Sequence, residues 1–262
     1  MSKTLIQHMQ DLRTGFTPAV AAGTTTAFQI PDDIVSGRMD DENQFWFPIR
    51  PSIASRRPAM KSRGSCRGAI IDYADNRELY FESNLEAGLA YMLVARNDVA
   101  RVVDQPPAVA YTDSNGKARE HTFDFMAVTA DGVHIAFAVK PEAKVEKSGI
   151  RTTLELIRQQ VGARFADRYL LRTEKHITRD RVFNARLILH ARRGRNQEDV
   201  ARLKDIVATL HGDVRINDVV GLSGLGGRGF YALVNLIGDG ALELAGPGRI
   251  DYRATVRRVA VH

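Results

Sequence analysis

The sequence predicts an α/β fold, with a mixed sheet flanked by helices and a smaller helical unit at the C-terminal end. Three observations predict it. Short runs of apolar and polar residues surround tight turns at 113–116 and 130–132, which is typical of paired strands. Other runs between 83 and 191 carry apolar residues at helical spacing. Beyond residue 196, further helical runs lead into a glycine-containing hairpin.

The first helix is predicted over residues 83–93, because its leucines recur at helical spacing and Ser83 is a natural N-cap. The strands at 121–129 and 133–140 are expected to pair as neighbours across the turn between them, and they carry Asp124 and Lys140. Alternation in the second strand puts Lys140 on the same face as Ala138. The other elements of this unit are strands at 100–103, 108–111 and 169–172 and helices at 152–164 and 178–191.

The C-terminal part predicts helices at 197–210, 216–222 and 228–237 and a hairpin of strands 241–244 and 254–259. This order is the winged-helix pattern. Its third helix has one cation, Arg228, and few groups that read base edges, so the unit is predicted to bind mainly protein. Any DNA contact there is expected from four arginines around the wing: Arg249, Arg253, Arg257 and Arg258.

The chain has 37 Lys and Arg against 31 Asp and Glu, a net charge of +6 and a pI near 9.6. This excess favours a polyanionic partner such as nucleic acid, although charge alone fits a soluble basic protein equally well. The single cysteine, Cys66, excludes an internal disulfide and an all-thiolate metal site, and a cytoplasmic protein is expected. No stretch approaches the ~20 apolar residues of a membrane span, so neither export nor membrane insertion is expected.

Residues 50–67 contain six cations and no acid, interleaved with proline and serine. The pattern fits a flexible arm that binds DNA phosphates, and it fits a solvated loop equally well. The cations are Arg50, Arg56, Arg57, Lys61, Arg63 and Arg67.

Three charged residues, Glu86, Asp124 and Lys140, each interrupt an apolar segment. Two carboxylates can hold a magnesium-type ion, while the lysine stabilises charge on phosphorus or orients the attacking water. These residues suggest a metal-dependent nuclease. Each also has a simpler interpretation: Ser83 and Glu86 form a capping-box pattern, and Asp124 and Lys140 could be a salt bridge.

In order and in type, these segments resemble the TnsA-type endonuclease subunits of heteromeric transposases, which belong to the PD-(D/E)xK nuclease superfamily. The resemblance covers residues 68–195, as a restriction-endonuclease-like domain after an N-terminal extension of residues 1–67. Residues 196–262 correspond to the winged-helix-like domain of such subunits. The matching segments are Tyr80–Glu86, Val102–Pro106, Thr122–Phe125, Phe137–Pro141 and Leu171–Lys175.

The resemblance implies that Glu86, Asp124 and Lys140 are the active-site residues, with Mg²⁺ or Mn²⁺ held by the two carboxylates and a backbone carbonyl near Val139. It implies a DNA endonuclease that cuts the strand at transposon ends which the partner transposase leaves uncut. The implied partners are double-stranded DNA and the transposase and ATPase-regulator subunits. The C-terminal domain is expected to dock onto these partner proteins.

The chain departs from the family pattern at Ala138. Members of the family have Glu or Gln at this position, two residues before the lysine. An alanine methyl cannot coordinate a cation, and Glu142 is a candidate replacement on the same strand face. The alternative is therefore an inactive nuclease fold that serves as a DNA-binding or assembly adaptor. A stand-alone restriction-type nuclease is a third possibility, which the composition of the third C-terminal helix argues against.

Overall fold

The computed structural model describes residues 38–39, 45–56 and 66–259. The strands are β1 (Arg38–Met39), β2 (Phe45–Trp46), β3 (Gly68–Asp72), β4 (Arg77–Phe81), β5 (Val99–Asp104), β6 (Val109–Thr112), β7 (Ala118–His121), β8 (Phe125–Thr129), β9 (His134–Val139), β10 (Arg168–Arg172), β11 (Val214–Arg215), β12 (Leu242–Leu244) and β13 (Thr255–Arg258). The helices are α1 (Asn84–Val94), α2 (Glu142–Ser148), α3 (Ile150–Gln160), α4 (Arg179–Arg193), α5 (Gln197–Ala208), α6 (Ile216–Ser223) and α7 (Gly227–Gly238). The chain is therefore a mixed α/β protein.

A four-stranded mixed sheet forms the centre, in the order β10-β9-β8-β5. Strands β9 and β10 are parallel, and the other neighbours are antiparallel. One face of the sheet is buried by α1, the β3–β4 hairpin and the start of α4, through a cluster that includes Leu89, Phe125, Phe137 and Ile177. On the opposite side of β9, Ala136 and Ala138 are also buried. A central strand covered on both faces explains its almost continuous apolar sequence.

Helices α1 and α4 approach each other closely at Gly88. A Cβ atom at this position would lie 2.7 Å from Cγ2 of Ile177 and 2.9 Å from Cγ2 of Val182. Only glycine therefore permits this packing distance. Helix α1 begins as predicted, with the Ser83 hydroxyl accepting from the Glu86 amide.

The strand predicted at 121–129 is interrupted, and this corrects the expectation that Asp124 lies within a strand. Strand β7 ends at His121 and pairs with β6, whereas β8 begins at Phe125 and pairs with β5 and β9. Residues 122–124 link the two pairings. The break occurs because the β6–β7 hairpin leaves the central sheet, so Asp124 lies just before β8 and Lys140 just after β9.

Two short hairpin or helical elements were not expected from the sequence pattern. Strands β3 and β4 form an antiparallel hairpin where no element was predicted. Helix α2 begins directly after Pro141, whose fixed φ suits a helix start. The helix predicted at 152–164 instead ends at Gln160, before a short 3₁₀ turn at Gly162–Arg164.

The segment at residues 50–55 is bound to the sheet. The Arg50 amide donates to the Asn76 carbonyl, and the Arg50 guanidinium lies 2.8 Å from the Asp75 carboxylate. The Ser52 hydroxyl donates to Asp104, a buried carboxylate whose pKa is raised by that burial. Arg50 is itself 9% exposed, so it does not belong to a flexible, solvated arm.

The C-terminal unit contains α5, α6, α7 and a three-stranded antiparallel sheet in the order β11-β13-β12. Its core includes Leu203, Ile216, Leu233 and Val256. The three helices and the final hairpin lie close to the predicted positions, and strand β11 between α5 and α6 was not expected.

Helix α7 packs against α4 and is buried along most of its length. The Asn235 amide donates to the Ala191 carbonyl, and a Cβ at Gly238 would lie 2.7 Å from Cγ2 of Ile188. Arg192 joins two helix ends, because its guanidinium donates to the carbonyls of Val94 on α1 and Gly238 on α7. Most of helix α7 is therefore buried, while Arg228 and Tyr231 remain exposed.

Candidate functional site

Asp124 is held between the strands on both sides of it. Its amide donates to the Phe137 carbonyl and its own carbonyl accepts from the Gln105 amide, each at 2.9 Å. The Val139 amide donates to the Oδ2 atom of Asp124 at 2.6 Å. These three bonds fix the carboxylate at the end of the central sheet.

The environment of Asp124 disfavours its ionised form. Burial raises the pKa of the carboxyl most, the Glu86 carboxylate raises it further, and Glu82 adds a smaller increase. The Val139 amide and the Lys140 ammonium oppose these effects, and the pKa is about 7. A buried carboxyl whose pKa is raised by a neighbouring carboxylate is typical of cation-binding and acid–base sites.

Glu86 lies in the first turn of α1 and caps the helix. Its Oε2 accepts from the Glu82 amide at 2.7 Å, and its Oε1 accepts from the Ser83 hydroxyl at 2.8 Å. The capping interpretation is therefore confirmed in a modified form, because the amide bonded is that of Glu82 and not of Ser83. Each oxygen keeps a further lone pair, so the capping bonds leave the carboxylate able to bind a cation.

Lys140 is positioned through its backbone, since its amide donates to the Arg172 carbonyl of β10 at 3.1 Å. Its ammonium group opposes the rise in the pKa of Asp124, and it also lowers the pKa of His121. Among the described ion pairs, none joins Asp124 to Lys140. The structure thus brings together the charges of Glu86, Asp124 and Lys140 without a simple salt bridge.

Two residues near this site were not predicted from the sequence. The Glu82 carboxylate slightly raises the pKa of Asp124, and it forms an ion pair with Arg56 at 3.2 Å. His121 ends β7 within the electrostatic reach of Lys140. For His121 the sequence offered one signal, its position three residues before Asp124, which does not distinguish it from an ordinary strand histidine.

The proposed compensation by Glu142 is wrong. Glu142 starts α2 instead of continuing the strand, because the chain leaves β9 before Pro141. Its Oε1 accepts from the Lys175 ammonium at 2.6 Å, and this pairing lowers the pKa of Glu142. Ala138 is buried, and its methyl side chain has no oxygen that could bind a cation.

Glu86 and Asp124 are the carboxylates that could hold a metal ion. The described part of the chain contains no group of three His, Cys, Asp or Glu side chains arranged to hold one. Magnesium often binds through one or two carboxylates, with water and substrate phosphate completing its shell. Two hard oxygen donors therefore fit magnesium or manganese better than zinc, which prefers a closed set of nitrogen and sulfur ligands. The Val139 amide is bonded to Asp124, as described above.

The predicted DNA-binding cations have different surroundings. Arg50 is buried against Asp75, Arg56 pairs with Glu82, and Arg67 is partly exposed. The other predicted arm residues, Arg57, Lys61 and Arg63, lie outside the described residues.

Three wing arginines also form bonds within the protein. Arg249 pairs with Asp180, Arg257 pairs with Asp213, and Arg258 donates to the Ala208 carbonyl. Arg253 is exposed.

A cleft of about 580 Å³ opens elsewhere, between α4 and α7. Its lining includes Arg193, Arg228 and Tyr231 and none of the residues of the candidate site. No protein-family model matches this chain, and the curated proteins contain no match to it. Within the described segments, every helix is too short or too polar to traverse a lipid bilayer.

Proposed function

We propose that the protein is a metal-dependent DNA endonuclease of the PD-(D/E)xK type, centred on Glu86, Asp124 and Lys140. We further propose that it is the TnsA-like subunit of a cut-and-paste transposase and cuts the transposon-end strand that its partner leaves uncut. The observation that carries the proposal is the placement of two carboxylates near each other, with Asp124 held by the Val139 amide and Glu86 held by the Glu82 amide and the Ser83 hydroxyl. Burial and the nearby Glu86 carboxylate raise the pKa of Asp124 to about 7, and a bound divalent cation would relieve both effects.

Glu86 and Asp124 would hold the ion, and their positions depend on the fold around them. Asp124 is oriented by the Val139 amide, and Glu86 by the Glu82 amide and the Ser83 hydroxyl. A bound magnesium ion supplies Lewis-acid polarisation of the phosphate and a more acidic water. Lys140 then stabilises negative charge on the phosphoryl oxygens, from a backbone position fixed by Arg172.

The C-terminal unit supports a role within a complex. We interpret its helix order and hairpin as a winged-helix-like arrangement, in which α7 takes the place of the helix that usually enters DNA. Helix α7 packs against α4, and of its exposed side chains Arg228 is paired with Asp199 while Tyr231 lines the cleft between the two helices. Binding of a protein partner, such as a transposase or ATPase-regulator subunit, fits this surface better than reading of bases.

The test is a calorimetric titration of Mn²⁺ and Mg²⁺ into the metal-free protein. Asp124→Asn is the decisive variant, because the amide oxygen can still accept from Val139 while the charge is removed. Glu142→Gln is the matched control, since it removes a carboxylate that is paired with Lys175. We expect binding by the parent and by Glu142→Gln, and loss of binding in Asp124→Asn. Equal binding by Asp124→Asn and the parent would contradict the assignment of the site.

A second candidate function is an inactive nuclease fold that binds DNA or assembles the transposition complex. The buried Ala138 and the diversion of Glu142 to Lys175 favour it, because the protein then supplies only two carboxylates. This function predicts no metal binding by the parent, even in the presence of duplex DNA. Titration with and without duplex therefore separates the two candidates.

A further inference from the structure

Helix α4 has one exposed face that is rich in arginine, which we call the α4 basic face. Its positions recur every three or four residues, so their side chains lie within about 80° of one another around the helix axis. All five positions are exposed, and the buried residues of α4 lie on its other sides. The face consists of Arg179, Phe183, Arg186, His190 and Arg193.

Two arginines of this face are held by aromatic rings from neighbouring elements. The Cζ atom of Arg186 lies 5.4 Å from the ring centroid of Tyr91 on α1. The Cζ atom of Arg193 lies 4.1 Å from the ring centroid of Tyr73, in the turn between β3 and β4. A guanidinium stacked on a ring has an ordered plane, and its N–H groups point outward at the edge of that plane. Both arginines are therefore ordered and keep donors for another partner.

The charge of the α4 basic face is not balanced within the described residues. None of their ion pairs includes Arg179, Arg186 or Arg193. The one carboxylate in the sequence of α4, that of Asp180, pairs with Arg249 at 2.8 Å. The face is therefore complementary to an anion from outside the described residues.

The spacing of the three arginines fits a linear polyanion. They are seven residues apart, so they recur about every 10 Å over about 21 Å of helix, a length that corresponds to about six base pairs of duplex DNA. A duplex backbone repeats its negative charges along a line, whereas an acidic protein segment has no such fixed repeat. The rings of Tyr73 and Tyr91 each carry a guanidinium on one face, which favours phosphate contacts over stacking of unpaired bases.

The α4 basic face begins close to the candidate site. A Cβ atom at Gly88, two residues after Glu86, would lie 2.9 Å from the Val182 side chain in the first turn of α4. The Lys140 amide is bonded to the carbonyl of Arg172, the last residue of the strand that leads into α4. A duplex bound along α4 would therefore reach the candidate site at one end.

We propose that the α4 basic face binds the phosphate backbone of duplex DNA next to the phosphodiester that is cut. The inference rests on the proposed nuclease function and names the surface that holds the substrate outside the site. Arg179, Arg186 and Arg193 contact successive parts of the backbone, and Tyr73 and Tyr91 orient two of the guanidinium groups.

The experiment measures binding of a short fluorescent DNA duplex by anisotropy, with Ca²⁺ in place of Mg²⁺, over a series of salt concentrations. The test variant combines Arg186→Gln with Arg193→Gln. The matched control combines Arg202→Gln with Lys204→Gln, which removes the same two charges from exposed positions of α5. A third variant, Tyr73→Ala, removes the ring under Arg193 and keeps the charge.

We expect the test variant to weaken duplex binding about 10-fold, roughly threefold for each exposed charge contact, and to reduce the salt slope by about two phosphate contacts. The control should bind as the parent does. Tyr73→Ala should weaken binding about threefold with an unchanged salt slope, because only the order of Arg193 is lost. Calorimetric binding of Mn²⁺ should be the same in the test variant and the parent, since Glu86 and Asp124 are intact.

Two results would overturn the inference while leaving the proposed function in place. One is parent-like duplex binding by the test variant; if that variant had lost binding to polyglutamate, the face would belong to an acidic protein. The other is equal weakening by the test variant and the control, which would indicate an effect of net charge alone. Failure of the parent to bind duplex, with or without Ca²⁺, would remove the proposed function and this inference together.

Discussion

Replacing Asp124 by asparagine is expected to stabilise the metal-free protein at alkaline pH. The carboxyl has a pKa of about 7 in the folded chain, mainly because of burial and then Glu86, against an ordinary value of 3.8. A raised pKa means that the folded state holds the proton more tightly than the unfolded state does. Stability therefore falls as the pH rises from about 4 to about 7, where the folded carboxyl ionises.

The magnitude follows from the shift. Three pKa units correspond to about 4 kcal/mol over the whole window, and about 3 kcal/mol of this is lost between pH 5 and pH 8. Asparagine has no charge to bury, and its side-chain oxygen can still accept from the Val139 amide. The advantage of Asp124→Asn over the parent should thus grow by about 3 kcal/mol between these two pH values.

The assay is urea unfolding in EDTA, followed by circular dichroism at pH 5 and pH 8. Asp205→Asn provides the same chemical change at an exposed position of α5 and should show no such growth. Titrating groups that do not interact with Asp124 cancel, because they are common to the parent and the variant. A pH-independent difference between Asp124→Asn and the parent would refute the electrostatic description of the site.

Three further predictions concern other parts of the structure. The pKa of His121 is lowered from 6.5 to about 4 by burial and then by Lys140. The parent should therefore lose about 2 kcal/mol between pH 7 and pH 4.5 that His121→Phe does not lose, as measured by urea unfolding. Ala138→Glu buries a new carboxylate beside the site, so its metal-free Tm should fall, and Mn²⁺ should raise that Tm more than it raises the parent's; equal shifts would argue against a metal at this position. Arg192→Met removes two bonds to helix-end carbonyls and should cost about 2 kcal/mol in urea, whereas Arg202→Met on the surface of α5 should be neutral.

Elements with strong local signals were predictable from the sequence. Helix α1 follows its N-cap Ser83 and its leucine spacing, and α6 and α7 follow equally clear apolar periodicity. The break between β7 and β8 was not predictable, because residues 121–129 form one apolar-rich run. Its interruption at Asp124 depends on which distant strands pair on either side.

The charged residues of the site were predictable in type and not in surroundings. Glu86, Asp124 and Lys140 stand out because each interrupts an apolar segment. The environment of His121 depends on its packing against Phe123 and on the nearby Lys140 ammonium, and no rule of sequence spacing predicts either neighbour. Arg50 was misinterpreted for a similar reason, since its counter-ion Asp75 lies 25 residues further along the chain.

Helix α1 links the C-terminal unit to the candidate site mechanically. Its N-terminal turn carries Glu86, while its last carbonyl, that of Val94, is tied by Arg192 to the end of α7. The helix has 11 residues, a stiff rod of about 16 Å. A displacement of α7 by a docked protein would be transmitted along α1 to the Glu86 carboxylate. Asp124 would not move with it, because its backbone is bonded to the strands of the central sheet. The distance between the two carboxylates therefore depends on forces that act on the C-terminal unit.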